Sequence, residues 1–225
     1  MDHDAARALE FGAELTEQEW TDLARRGHPR RLSVGAPLFV EGTHSDTVVI
    51  VISGRVKVFS STEDGAEVIL AVRGPGALLG ELAAIDEQPR SASVRSLEPA
   101  EVLIVGMREF TAFLQDHPRT MLVLMRTLTS RLRDADRKRV EFGAYDTVDR
   151  VARRLVELVD RFGEPTQSGI KITVPLSQDE LASWVGASRE AVAKALRTLR
   201  TSGYVHTQRR TIIVIDIEGL RRRAR

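Results

Sequence analysis

Hydrophobic and polar positions change period twice along the chain. Between Leu32 and Val105 short β-rich runs (PLFV, VVIVI, VKVF, VILAV, ASVRS and EVLIV) alternate with turn residues at Gly35, Gly42, Gly54, Gly65, Gly74 and Gly76. Several short strands with glycine at the corners predict a compact antiparallel roll or jelly roll. Ahead of it, Thr16-Glu17-Gln18-Glu19 forms a capping box that starts a short helix turning Trp20 and Leu23 inward. Beyond it, Met107 to His117 reads as a short helix. Pro118 suits a first helical turn, and about 27 residues of helical pattern follow.

Within that long helix Met125, Leu128, Leu132, Ala135, Arg139 and Phe142 recur at spacings of 3, 4, 3, 4 and 3. This is an a/d seam, the pattern of a helix that pairs with a second copy of itself. The alternative is a helix packing on its own domain. Arg131, Arg133, Asp134, Asp136, Arg137 and Lys138 leave only a narrow apolar stripe, which favours the homodimer. Arg139 departs from the seam, and nothing in the sequence explains it.

A further domain is expected from about Tyr145-Asp146. Val148, Val151, Leu155, Leu158 and Val159 make the apolar face of its first helix, ended by Gly163 and Pro165, and IKITV follows as a strand. Ser177-Gln178-Asp179-Glu180 is a second capping box and opens a helix buried through Leu181, Ala182 and Val185. Gly186 permits the turn, Ser188 caps a second helix, and Val192, Ala195, Leu196 and Leu199 bury it. YVHT and TIIVIDI then flank Gln208-Arg209-Arg210 as a hairpin. Helix, turn, helix and wing in this order predict a winged helix-turn-helix that reads double-stranded DNA. Ser188, Arg189, Glu190 and Lys194 stand outward near the end that enters the major groove. Arginine suits guanine, glutamate suits the cytosine amino group and Ser188 suits a phosphate, with Ser177 and Gln178 as further expected DNA-binding residues. Arg197, Arg200, Arg209 and Arg210 would add salt-dependent phosphate attraction.

Charge supports this division of labour. The net charge of +1 conceals 15 Lys/Arg against 10 Asp/Glu in residues 146–225, and 18 against 22 before them. Only the basic C-terminal part is expected to meet a polyanion. There is no cysteine, which excludes disulfides, cysteine-ligated zinc and iron–sulfur clusters. No apolar run reaches the ~18–20 residues of a membrane span, and the N-terminus lacks the apolar core of a signal peptide. A cytoplasmic protein without a membrane partner is expected. The five histidines (His3, His28, His44, His117 and His206) are scattered and read as surface residues, so no metal is expected.

Gly-Ala-Ser-Arg-Glu-Ala-Val at 186–192, and Gly80-Glu81-Leu82 followed by Pro89-Arg90-Ser91-Ala92, resemble the cyclic-AMP receptor protein family of bacterial transcription regulators over about residues 15–220. The resemblance implies an α+β chain. Residues 1–117 would form a double-stranded β-roll that binds a cyclic nucleotide, 118–145 a dimerisation helix, and 146–225 a winged helix-turn-helix. It further implies a homodimeric activator that reads a palindrome of TGTGA-like half-sites through Arg189, Glu190 and Lys194, and that contacts RNA polymerase. Many family members carry arginine where Lys194 stands. A point charge replaces a planar fork there, so reading at that base would be looser.

The roll motif makes chemical sense in itself. Gly80 and Glu81 open a turn of helix whose amides favour an anion, and Arg90 can pair with a cyclic phosphodiester, with Ser91 and the Ala92 amide as further donors. Glu81 suits a ribose 2′-hydroxyl. Leu82, Arg131 and Asp136 complete the expected set. Where relatives place hydroxyls or amides for adenine, this chain carries Ala135 and Asp136. Ala135 offers nothing polar, and Asp136 suits adenine or guanine. Cyclic AMP is the expected effector and cyclic GMP the next. A regulator of the same fold that needs no effector, or answers to a cyclic dinucleotide, is the alternative. A cupin-type metalloenzyme would need two or three histidines in the roll, which holds only His44; no enzyme is expected.

Overall fold

The structure, a computed structural model, describes residues 10–208 and 211–224. Two compact units divide the chain between Arg133 and Asp134. No helix of the described residues is long and apolar enough to cross a membrane.

The first unit opens with a 3-10 turn (Phe11–Glu14) and α1 (Glu17–Arg25). Thr16 and Glu19 close the expected capping box: the Thr16 hydroxyl accepts from the Glu19 amide, and the Glu19 carboxylate accepts from the Thr16 amide. Eight strands follow: β1 (Gly27–Leu32), β2 (Pro37–Phe39), β3 (Thr47–Ser53), β4 (Val56–Ser61), β5 (Glu67–Arg73), β6 (Leu78–Leu79), β7 (Ser93–Ser96) and β8 (Ala100–Gly106), with α2 (Glu81–Asp86) after β6. They pair into two antiparallel four-stranded sheets, ordered β1-β8-β3-β6 and β2-β7-β4-β5.

The side-chain period of two explains why β3 reads as the unbroken run VVIVI. Val49 and Val51 enter one buried cluster with Val56, Val94 and Leu79, while Val48 and Ile50 enter another with Phe11, Leu23 and Phe110. The strand is thus buried on both faces. α3 (Met107–Asp116) and α4 (Pro118–Ala144) follow, the latter 27 residues long and beginning at the expected proline. The first half of α4 buries Thr120, Val123, Leu124 and Thr127. The seam residues stand on a different stripe: Leu128 is partly buried, whereas Met125 and Leu132 are 50% and 64% exposed. The roll is held by one stripe of α4 while a second apolar stripe stays uncovered.

Two features differ from expectation. β1, with the polar sequence GHPRRL, is a strand that the hydrophobic pattern does not show. It lies at a sheet edge, held by backbone pairing to β8, so it needs little apolar content. His117 is not a simple surface residue: its ring packs 4.9 Å from that of Phe113, and its Nε2 lies 2.9 Å from Asp22 Oδ2.

In the second unit, α5 (Thr147–Phe162) buries Val151, Leu155 and Leu158 and ends at Gly163 as expected. β9 (Gly163–Thr166), unrecognised in the sequence, pairs with β10 (Gly169–Ile172). α6 (Gln178–Val185) and α7 (Arg189–Thr201) form the helix pair. β11 (Val205–Gln208) and β12 (Thr211–Val214) form the hairpin, and α8 (Ile217–Arg223) closes the unit. The sheet order is β11-β12-β10-β9.

Candidate nucleotide cradle and DNA-reading helix

In the roll the structure brings together Gly80, Glu81, Arg90 and Arg131. Gly80 caps α2 in the left-handed region (φ 81°), where a side chain would be strained. A Cβ there would also stand 2.1 Å from Arg90 Nη1. Glycine at this position therefore leaves the space that the guanidinium fills. Arg90 is 3% exposed. It donates Nη1 to the Gly80 carbonyl (2.8 Å), and Nη2 to Ser45 Oγ and the Thr47 carbonyl (both 2.7 Å). Its face lies 3.8 Å from the Phe39 ring centroid. Its Nε has no hydrogen-bond partner among the described residues. Burial pushes the guanidinium below its ordinary pKa, and the charges of Glu81 and Asp46 oppose that. Arginine nonetheless stays charged. The result is a buried cation with no carboxylate bonded to it among the described residues, a costly arrangement that an anion would relieve.

Glu81 is buried too, and its Oε1 accepts from Arg131 Nη1 at 2.7 Å. Arg131 also donates Nη2 to the Leu78 carbonyl at 2.7 Å. Glu81 thus ties the cradle to α4. Leu82 and Ser91 are exposed, and Ala92 is half-buried. Asp136 is exposed and falls in the other compact unit. Phe39, Ser45 and Thr47 were missed in the sequence. They lie more than 40 residues from Arg90, and only strand pairing brings them near.

In the second unit Ser177 and Glu180 close the second capping box, and Gly186 takes the left-handed turn (φ 62°). The Ser188 hydroxyl accepts from the Ala191 amide and caps α7. Arg189, Glu190, Lys194 and Arg197 are exposed, whereas Val192, Ala195, Leu196 and Leu199 are buried, as expected. Glu190 is held below the usual carboxylate range by its own backbone amide and by the Ser188 hydroxyl. It therefore stays an ionised acceptor at neutral pH. Arg189 lies 3.6 Å from Asp179, an exposed pair of the weakly bound kind that another partner of Arg189 can displace. Gln178 is exposed and Ser177 half-buried at the start of α6. Arg200 donates to the Thr207 hydroxyl at 3.4 Å, bracing α7 against the hairpin. Arg209 and Arg210 lie outside the described residues.

Comparisons with known proteins find relatives of both parts of the chain. Residues 29–117 match the cyclic nucleotide-binding domain, and residues 149–223 match the Crp-like helix-turn-helix domain. A CRP-like cAMP-activated global transcriptional regulator of Mycobacterium tuberculosis is 32% identical over 203 residues, covering 90% of this chain and 91% of that one. The cyclic AMP receptor protein of Thermus thermophilus is 33% identical over 188 residues, covering 83% and 84%. Among solved structures, the c-di-GMP responsive regulator CLP of Xanthomonas campestris superposes with TM-score 0.77 at 26% identity, covering 89% of this chain and 100% of that one. With a nucleotide-binding roll, a Crp-like reading domain and relatives matched over nearly their whole length, this chain belongs to the cyclic-AMP receptor protein family of transcription regulators.

Proposed function

We propose that the protein is a homodimer that reads a palindrome of TGTGA-like half-sites when a cyclic nucleotide, cyclic AMP in the first instance, occupies the roll. The observation that carries the reading is Arg90: a buried guanidinium that, among the described residues, has an unpartnered Nε and no bonded carboxylate. A cyclic phosphodiester is a single negative charge with acceptors on both free oxygens, and it suits that donor set. Glu81 would accept from the ribose hydroxyl. Because Glu81 already holds Arg131 of α4, whatever engages Glu81 alters a contact with that helix. Cyclic AMP is favoured by the names of the two relatives above. The Xanthomonas structure supports a cyclic dinucleotide as the second reading.

The open stripe of Met125, Leu132 and Phe142 supports pairing of two copies along α4. Two recognition helices about 34 Å apart would then enter successive major grooves. Arg189 would read guanine, Glu190 would accept from cytosine, and Lys194 would complete the half-site. Ser177, Gln178, Ser188, Arg197, Arg209 and Arg210 would hold the phosphates, and RNA polymerase would be the downstream partner. Calorimetry with cyclic AMP, cyclic GMP and cyclic di-GMP tests the effector. The expected result is saturable heat with cyclic AMP at one site per subunit, and no heat with any of the three would overturn the assignment.

A further inference from the structure

The last turns of α4 carry a cluster that neither the nucleotide cradle nor the reading face uses. Phe142 lies against Gly186: a Cβ on that glycine would stand 2.4 Å from the ring's Cε1. Arg150 of α5 donates Nε to the Val185 carbonyl at 2.9 Å and Nη1 to the Tyr145 carbonyl at 2.7 Å. Its guanidinium lies 5.8 Å from the Phe142 ring centroid. Beside them Glu141 accepts from Arg154, a buried residue that also pairs with Glu157, and Lys138 approaches Glu157 to 3.7 Å. The space left among Lys138, Glu141, Phe142, Arg150 and Trp184 is about 10 Å³, room for one water at most.

Val185 and Gly186 make the turn that sets the angle between α6 and α7. The Val185 carbonyl is among the last of α6, which lack intrahelical partners, and Arg150 satisfies it from outside. Phe142 closes over the glycine from α4. Its ring is still half exposed, and it occupies a position of the proposed dimer seam.

We propose that Phe142, together with Arg150, is a positioning residue for the recognition helix. One face of the ring braces the α6–α7 turn, and the other remains open to the second subunit. Residues 134–144 then move with the DNA-reading domain, and a shift in the seam reaches Gly186 through Phe142. The coupling rests on the homodimer reading above; the clamp on the turn does not.

The full-length protein and the variants Phe142→Ala and Arg150→Gln would be compared by amide hydrogen exchange and by operator affinity with and without cyclic AMP. In both variants amides 185–188 should exchange about tenfold faster or more while those of 151–159 keep their protection. The effector-induced gain in affinity should fall at least about fivefold. Arg150→Gln leaves the seam untouched, so it should show the same effect with the dimer mass unchanged by sedimentation. Unchanged exchange in both variants would overturn the clamp. A loss confined to Phe142→Ala that tracks dissociation of the dimer would overturn the coupling. Wild-type protein that is monomeric or unresponsive to cyclic AMP would instead sink the earlier reading, and the exchange comparison would still decide the clamp.

Discussion

At the scale of single residues, the proposed nucleotide site requires Arg90 to trade stability for binding. A buried charge kept for a ligand should cost the empty protein free energy, because the charges of Glu81 and Asp46 offset its desolvation only in part. Arg90→Met keeps the bulk against Phe39 and removes the charge. We expect it to abolish nucleotide binding while the melting temperature stays level or rises. A fall equivalent to the ~3–5 kcal/mol of a broken buried ion pair would mark Arg90 as structural. Glu19 behaves differently. Its hydrogen bond from Arg119, with those from Thr16, lowers its pKa from the ordinary 4.5 to about 2. A folded-state pKa below the unfolded one stabilises fully above about 4.5, and the contribution is lost as pH falls toward 2. Glu19→Gln should therefore flatten the acid limb of the melting curve between those values. An acid limb as steep as the wild type's would refute this.

At the scale of elements, the helix termini were the most legible features. Thr16, Ser177, Gly186 and Ser188 each act within four residues of their partners, so local sequence suffices. The sequence also showed which face of α7 is buried, because the 3.6-residue period is local too. β1 and β9 escaped because their own sequences, GHPRRL and GEPT, carry little apolar pattern and owe their strand identity to backbone pairing with β8 and β10. The Arg90 cradle was half legible. Gly80, Glu81 and Arg90 lie within one short stretch, whereas Ser45, Thr47 and Phe39 arrive only through the topology of the roll. On α7, Glu190→Ala should cost about 1–3 kcal/mol of preference for the cytosine-bearing base pair and leave other positions alone. Selection from a random DNA pool would read this directly, and an unaltered consensus would contradict it. On α4, Leu132→Glu places charge in the open stripe and should shift the proposed dimer to monomer in sedimentation, while nucleotide binding to the roll persists; a variant that stays dimeric would exclude this stripe as the seam.

At the scale of the whole molecule, regulation requires the effector to distinguish two arrangements of the chain. Moving a population from 1:99 to 99:1 takes about 5.5 kcal/mol of differential affinity. Coupling of ~1–3 kcal/mol is more usual and would leave appreciable binding without effector. The excess of basic residues in 146–225 sets the non-specific part of that binding, which should fall steeply with salt. The effector-dependent part should keep its ratio better, since it arises in the roll and along α4. Operator affinity at fixed salt, measured by fluorescence anisotropy with and without saturating cyclic nucleotide, tests the central claim most directly. The account predicts a gain of about fivefold or more that vanishes in Arg90→Met. An operator affinity indifferent to every cyclic nucleotide would contradict it.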